Sequence, residues 1–300
     1  MFNLQGMSIS VIGIGRLGGA LALALSEKGF EVENLFARNN KNPDKIAGLT
    51  NSKILTDDDF GKIHSEIILI TTQDSEISYV AESLAGKLKS KPIVLHTSGS
   101  LSSVILNNLK NIDCPVGSLH PLVSISDSFL GKARFQNAFF CVEGDNEAVE
   151  AAKNIVSKLG GKSFSIETKY KPLYHASAVT ACGHLVAVID TAIEMLSECG
   201  LSETESKEIF LPLIESTVEN LKYQTPAESL TGTFSRADAE TFDRHLEIME
   251  KKVSDEALEI YLLLGERSLK LAEKQGADKK RLQTMREKIS LAKKKPEMLK

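Results

Sequence analysis

Tryptophan is absent from the 300 residues and cysteine is scarce, with four at positions 114, 141, 182 and 199. None of the four stands in CxxC spacing, so neither a zinc site nor a disulfide framework is indicated, no metal is expected, and buried thiols are the simplest expectation. No apolar stretch approaches the ~20 residues that span a bilayer, and residues 1–8 lack the charged and apolar regions of a secretory signal. A cytoplasmic protein without a membrane contact is expected, and Met7 offers an alternative start that would make residues 1–6 a leader. A strong excess of one charge is also missing, since 36 basic and 40 acidic residues leave −4. The distribution is uneven: residues 279–300 hold nine Lys or Arg against two Glu, giving +7 and leaving −11 on the rest. Such a run reads as a solvated helix face or frayed end, and no nucleic-acid partner is expected. With 42% hydrophobic and 25% charged residues, the chain has the composition of a globular protein of about two domains.

What is present begins at Val11 to Ala24, VIGIGRLGGALALA. Ile9, Val11 and Ile12 predict a strand ending at Gly13, which permits a tight turn. Gly15 lets the backbone approach a pyrophosphate, and Gly18 lets helix and strand pack closely. Arg16, Leu17 and Gly18 would open a helix whose free N–H groups and positive dipole end suit phosphates. The second strand, Val32 to Ala37, is followed by Arg38-Asn39-Asn40-Lys41. An NAD site would place a carboxylate there for the ribose hydroxyl; two cations and two amides suit a 2′-phosphate, with Arg38 and Asn39 as its contacts, so NADP is expected.

The alternation of short apolar runs and amphipathic segments continues through strands at 66–72, 92–97, 115–118, 139–143 and 163–166, with helices at 75–88 and 146–159. This predicts an α/β domain, a Rossmann-type parallel sheet covered on both faces, over residues 1–167. From Tyr170 the pattern turns helical: one long helix from Leu173 to Cys199, then helices near 203–223, 238–252 and 255–275, with a glycine-containing loop from Pro226 to Arg236. An all-helical domain is expected over 168–300. Ligands of such sheets bind beyond the carboxyl ends of the strands. There the chain places Thr71-Thr72-Gln73, then His96-Thr97-Ser98-Gly99-Ser100, then Ser118-Leu119-His120-Pro121. Thr71, Thr72, Gln73 and Thr97 are taken as cofactor contacts.

VIGIGRLGGALA, LHTSGS, GSLHPL, YHASAVTACGHLVAVIDTA and SLTGTFSRADAETFDRHL together resemble a bacterial family of Rossmann-like proteins whose second half is the domain of unknown function 2520. The family is similar to NADP-dependent pyrroline-carboxylate reductases and 6-phosphogluconate-dehydrogenase-like enzymes. That resemblance implies a helical, 6-phosphogluconate-dehydrogenase-like substrate and dimerisation domain, hence a homodimer through the helical half. Where most members carry Asn in the long helix, this chain has Gly183 and His184, and glycine is a poor residue for a helix interior. GSLHPL also resembles the Gly-His-Pro segment of prephenate dehydrogenases. By that likeness His120 would polarise a carbonyl or accept a proton from an alcohol, with Ser98 or Ser100 orienting the substrate. Histidine suits the task because its ordinary pKa lies near working pH.

In the helical half, His175 shares an otherwise apolar face with Val179, Cys182 and Val186 and is a third catalytic candidate. Arg236, Asp238 and His245 could line one wall of a substrate site, Arg236 clamping a carboxylate or phosphate. Asp238 is equally placed to cap a helix, and at seven residues' spacing, ~10 Å along the axis, it would not pair with His245. These features point to an NADP-dependent oxidoreductase acting on a C=O or C=N group of a small anionic substrate in an interdomain cleft. A module that binds NADP(H) without turnover, and a deazaflavin-using reductase, are the alternatives.

Overall fold

Side chains in the central strands alternate between two hydrophobic layers. Ile67 and Leu69 enter one and Ile68 and Ile70 the other, all fully buried, as a strand covered on both faces requires. The computed structural model describes residues 7–37 and 43–294; Arg38 and Asn39 lie outside the described residues. The strands are β1 (Ser8–Ile12), β2 (Glu31–Phe36), β3 (Lys53–Leu55), β4 (Ile67–Ile70), β5 (Ile93–His96), β6 (Val116–Pro121), β7 (Phe139–Gly144) and β8 (Lys162–Phe164). They form one sheet in the order β3-β2-β1-β4-β5-β6-β7-β8. The helices are α1 (Arg16–Glu27), α2 (Pro43–Thr50), α3 (Asp74–Ala85), α4 (Asn107–Lys110), α5 (Ser128–Gly131), α6 (Asn146–Lys158), α7 (Lys171–Ser197), α8 (Glu203–Tyr223), α9 (Gly232–Ser235), α10 (Ala239–Lys252), α11 (Asp255–Lys274) and α12 (Lys279–Lys294). The α/β fold class expected from the sequence is the fold observed, with a helical region following the sheet.

Three details differ from the sequence expectation. The β3 strand and α2 helix were not anticipated, since three and eight residues are too few to display a period. The sheet is not wholly parallel: β6 pairs with β7 in antiparallel register, Ser118 opposite Glu143 and His120 opposite Cys141. That pairing carries β6 to Pro121, beyond Ser118, where its partnership with β5 ends. His120 therefore sits within a strand, not in the loop after it.

The chain divides into two compact units, Met1–Cys182 and Gly183–Lys300, so the division falls within α7. In the second unit, Phe242 of α10, Leu262 and Leu269 of α11 and Leu282, Met285 and Ile289 of α12 form a buried core. The basic run is thus largely α12, its apolar stripe inward and its cations outward, with Lys288 paired to Asp243 at 2.8 Å. The expectation that no segment is long and apolar enough to cross a bilayer is corrected by Thr168–Ser197, which has a window of mean hydropathy 1.5, none of it buried. Ser, Thr and His scattered along the helix break its apolar runs, yet the mean over the window stays at 1.5. Cys114 and Cys141 are buried as expected, but Cys182 and Cys199 are exposed, Cys182 on a face of α7 with no core against it and Cys199 in the turn that follows the helix.

Candidate functional site

At the end of β1 the backbone must turn through a conformation that L side chains rarely adopt: Gly13 has φ +96°, and a side chain there would press on Thr72. A Cβ at Gly18 would overlap the Gly13 carbonyl and the Thr71 hydroxyl. That hydroxyl already donates to the Gly13 carbonyl at 2.6 Å. Gly15 behaves differently, with nothing within 4 Å of an added Cβ; it caps α1, whose first turn has neither a side-chain cap nor an acidic residue. The turn therefore presents open backbone and uncapped N–H groups to a cleft of about 430 Å³ that includes Gly13, Gly15, Ala37, Thr71, Thr72 and Gln73. Thr72 Oγ1 is buried there without a hydrogen-bond partner among the described residues. Backbone donors at a dipole's positive end, a glycine cradle and an orphaned hydroxyl fit a dinucleotide phosphate. Arg16 is exposed at the helix start. Leu17 packs on the core instead, and Thr97 spends its hydroxyl and amide on the Ile70 carbonyl, joining β5 to β4 outside the cleft lining.

Further along the same sheet end, His120 and His175 come together, their ring centroids 5.7 Å apart at 77°. Gly99 permits this approach, since a Cβ on it would lie 2.5 Å from His175 Cδ2 and 2.7 Å from His120 Nε2. His120 Nδ1 lies 2.7 Å from the Tyr174 hydroxyl. Burial pushes the Tyr174 phenol well above its ordinary value, so it stays protonated and donates to Nδ1, which assigns the proton of neutral His120 to Nε2. Burial, then the neighbouring His175 and Lys171, lower the His120 pKa to about 4. His120 is thus tuned away from histidine's ordinary value: at neutral pH this imidazole is an uncharged N–H donor, not a proton acceptor in waiting. His96, beneath it on β5, is fully buried and lowered to about 3 by burial and the Lys171 charge, against a backbone hydrogen bond at Ser102.

Ser98 has a different task from the one expected. Its hydroxyl donates to Asp74 at 2.8 Å and accepts from the Ser100 and Leu101 amides at 3.2 and 2.9 Å, which shapes the loop and leaves no proton for a substrate. In the helical unit Asp238 caps α10, accepting from the Thr241 amide at 3.1 Å. His245 is bound to the Tyr261 hydroxyl at 2.7 Å, so the two do not pair, and Arg236 is exposed. Lys171, Tyr174 and Glu143 were missed by the sequence reasoning. Lys171 belongs to none of the motifs in the sequence; Glu143, a carboxylate closing the apolar run FFCV, was the available signal, since a buried acid requires a partner.

The strand order and the glycine turn at the end of β1 define a Rossmann-like fold. The chain carries a Rossmann-like domain over residues 3–121 joined to the domain of unknown function DUF2520 over residues 138–268. Its fold is similar to that of a Bacteroides fragilis protein named for an inferred NADP oxidoreductase activity, at TM-score 0.73 and 22% identity, covering 89% of this chain and 100% of that one. A Thermotoga maritima protein matches at TM-score 0.69 and 24% identity, over 89% and 99% of the two chains. Plasmodium falciparum pyrroline carboxylate reductase, solved with NADP bound, matches at 0.58 and 15%, over 90% and 100%. Comparison with curated protein sequences gives no match.

Proposed function

We propose that this protein is an NADP-dependent oxidoreductase acting on a C=O or C=N group of a small anionic substrate. The observation that carries the reading is His120: a neutral imidazole, tethered through Nδ1 to Tyr174, at the same sheet end as the glycine turn. Gly13, Gly15 and Gly18 with the start of α1 would hold the pyrophosphate, and Thr71, Thr72 and Gln73 the adjoining part of the dinucleotide. Hydride transfer is what a bound nicotinamide supplies. His120 would hold its Nε2 proton toward the oxygen or nitrogen of the reacting group, stabilising negative charge there without first having to be protonated. His175 closes one side of that position, and the Ser98 turn fixes the amide of Ser100. The NADP preference draws on Arg38 and Asn39 in a stretch without a carboxylate, and on the fold shared with the NADP-bound Plasmodium reductase. Arg236 is the proposed anion contact. The proposed assembly is a cytoplasmic homodimer through the helical unit, supported by the apolar, exposed faces of α7 and α8, where Val186 and Leu213 are 66% and 60% exposed.

The test incubates the protein with NADPH or NADH and a panel of keto acids, imines and cyclic imino acids while nicotinamide absorbance is followed. Oxidation of NADPH by one member, lost in His120→Ala, is the expected result. Tight NADPH binding with no oxidation in any pool would instead indicate a sensor, and tighter binding of NADH would overturn the cofactor assignment.

A further inference from the structure

Lys171 is fully buried, the one lysine so placed among the described residues. Its Nζ reaches three acceptors on three neighbouring chain segments: Ser118 Oγ at 2.5 Å, the Ser98 carbonyl at 3.3 Å and Glu143 Oε1 at 3.4 Å. Glu143 is held from its other side by the Ser103 amide at 2.8 Å and hydroxyl at 2.7 Å. A buried ion pair of this kind contributes little to stability compared with apolar residues of the same volume, because desolvation offsets the attraction. What it does supply is direction, since an ammonium with three acceptors leaves the helix that bears it one orientation.

Lys171 opens α7, and Tyr174 and His175 follow it three and four residues on, the spacing that puts all three on one helix face. We propose that Lys171 is the positioning residue of this site: it ties the Ser98 turn after β5, the middle of β6 at Ser118 and the end of β7 at Glu143 to the first turn of α7 and so sets Tyr174 and His175 against His120. The same ammonium faces His96 of β5 and His120 of β6, and is itself faced by Glu143 and Cys141 of β7 and Asp74 of α3. His120 is faced in addition by Tyr174 and His175 of α7. Removal of Lys171 thus has two separable consequences. Tyr174 loses its fixed approach to Nδ1, and His120 loses a neighbouring positive charge that disfavours its imidazolium.

The functional meaning rests on the reading of His120 as hydrogen-bond donor, but the experiment does not require turnover. Uniformly ¹⁵N-labelled full-length protein is titrated by NMR, the His120 ring being assigned by its loss in His120→Gln. The wild type is expected to show a single Nε2–H tautomer that titrates well below the ordinary histidine range. In Lys171→Met, with the fold retained by circular dichroism and NADPH affinity unchanged, the tautomer signature becomes mixed and the midpoint rises by about half a unit or more. Lys171→Arg restores the single tautomer. A Lys171→Met protein whose His120 spectrum and midpoint match the wild type overturns the proposal. So does a wild-type His120 that titrates normally or shows mixed tautomers, a measurement that stands even if the variant does not fold. Failure of every substrate in the panel counts against the proposed oxidoreductase activity alone.

Discussion

His120 and Tyr174 divide one task between them: the ring presents a proton and the phenol decides which nitrogen carries it. Under the proposed activity, His120→Ala lowers kcat/KM by about 10²- to 10⁴-fold. Tyr174→Phe, which deletes one hydrogen bond and keeps the packing, lowers it by about tenfold; steady-state kinetics on any active substrate distinguish the two. The same burial makes the fold acid-sensitive. Both His96 and His120 have folded pKa values depressed from 6.5, to about 3 and about 4, so the unfolded chain binds more protons between the folded and unfolded values and stability falls as the pH is lowered. The contribution is complete above about 6.5 and is lost as pH falls toward about 4 and then about 3, a window that thermal melts across pH resolve. His120→Asn is expected to flatten the upper part. A strand-end motif exposed His120 as a candidate in the sequence, and its place on an apolar helix face exposed His175; Lys171 and Tyr174 were not legible, because their importance comes from α7 meeting β6 more than fifty residues upstream.

Glycines at three positions of one turn have separate jobs, and substitution separates them. Gly18→Ala forces a methyl group against the Gly13 carbonyl and Thr71 hydroxyl and should destabilise the protein by about 1–3 kcal/mol, read from chemical denaturation. Gly15→Ala meets no protein atom; its main expected effect is a loss of NADPH affinity, measured by calorimetry, with the smaller stability change. An equal loss of stability from both would remove the assignment of Gly15 to a ligand. Most elements were legible from their periods: α8 was anticipated at 203–223 and occupies Glu203–Tyr223. The antiparallel β7 was legible as a strand but not in its direction, since an apolar run reads the same either way.

Two units of unlike character make up the whole chain, and the helical one leaves long apolar faces uncovered. Val186, Leu211 and Leu213 are each at least half exposed, more apolar surface than helices of a monomer ordinarily show water. Light scattering on the eluting protein is expected to give the mass of a dimer, and Val186→Glu with Leu213→Glu a monomer of unchanged helicity; a monomeric wild type would sink the proposed assembly. The amino-acid sequence by itself determined the class of fold, the glycine turn and the division into sheet and helices, because each is written in local spacing of apolar residues and glycines that the backbone must obey. Tertiary structure alone decided that His120 is neutral, that Ser98 serves its own loop and that Lys171 lies beneath the site. Charge state and hydrogen-bond partner depend on burial and on neighbours brought from distant strands, and no spacing along the chain records them.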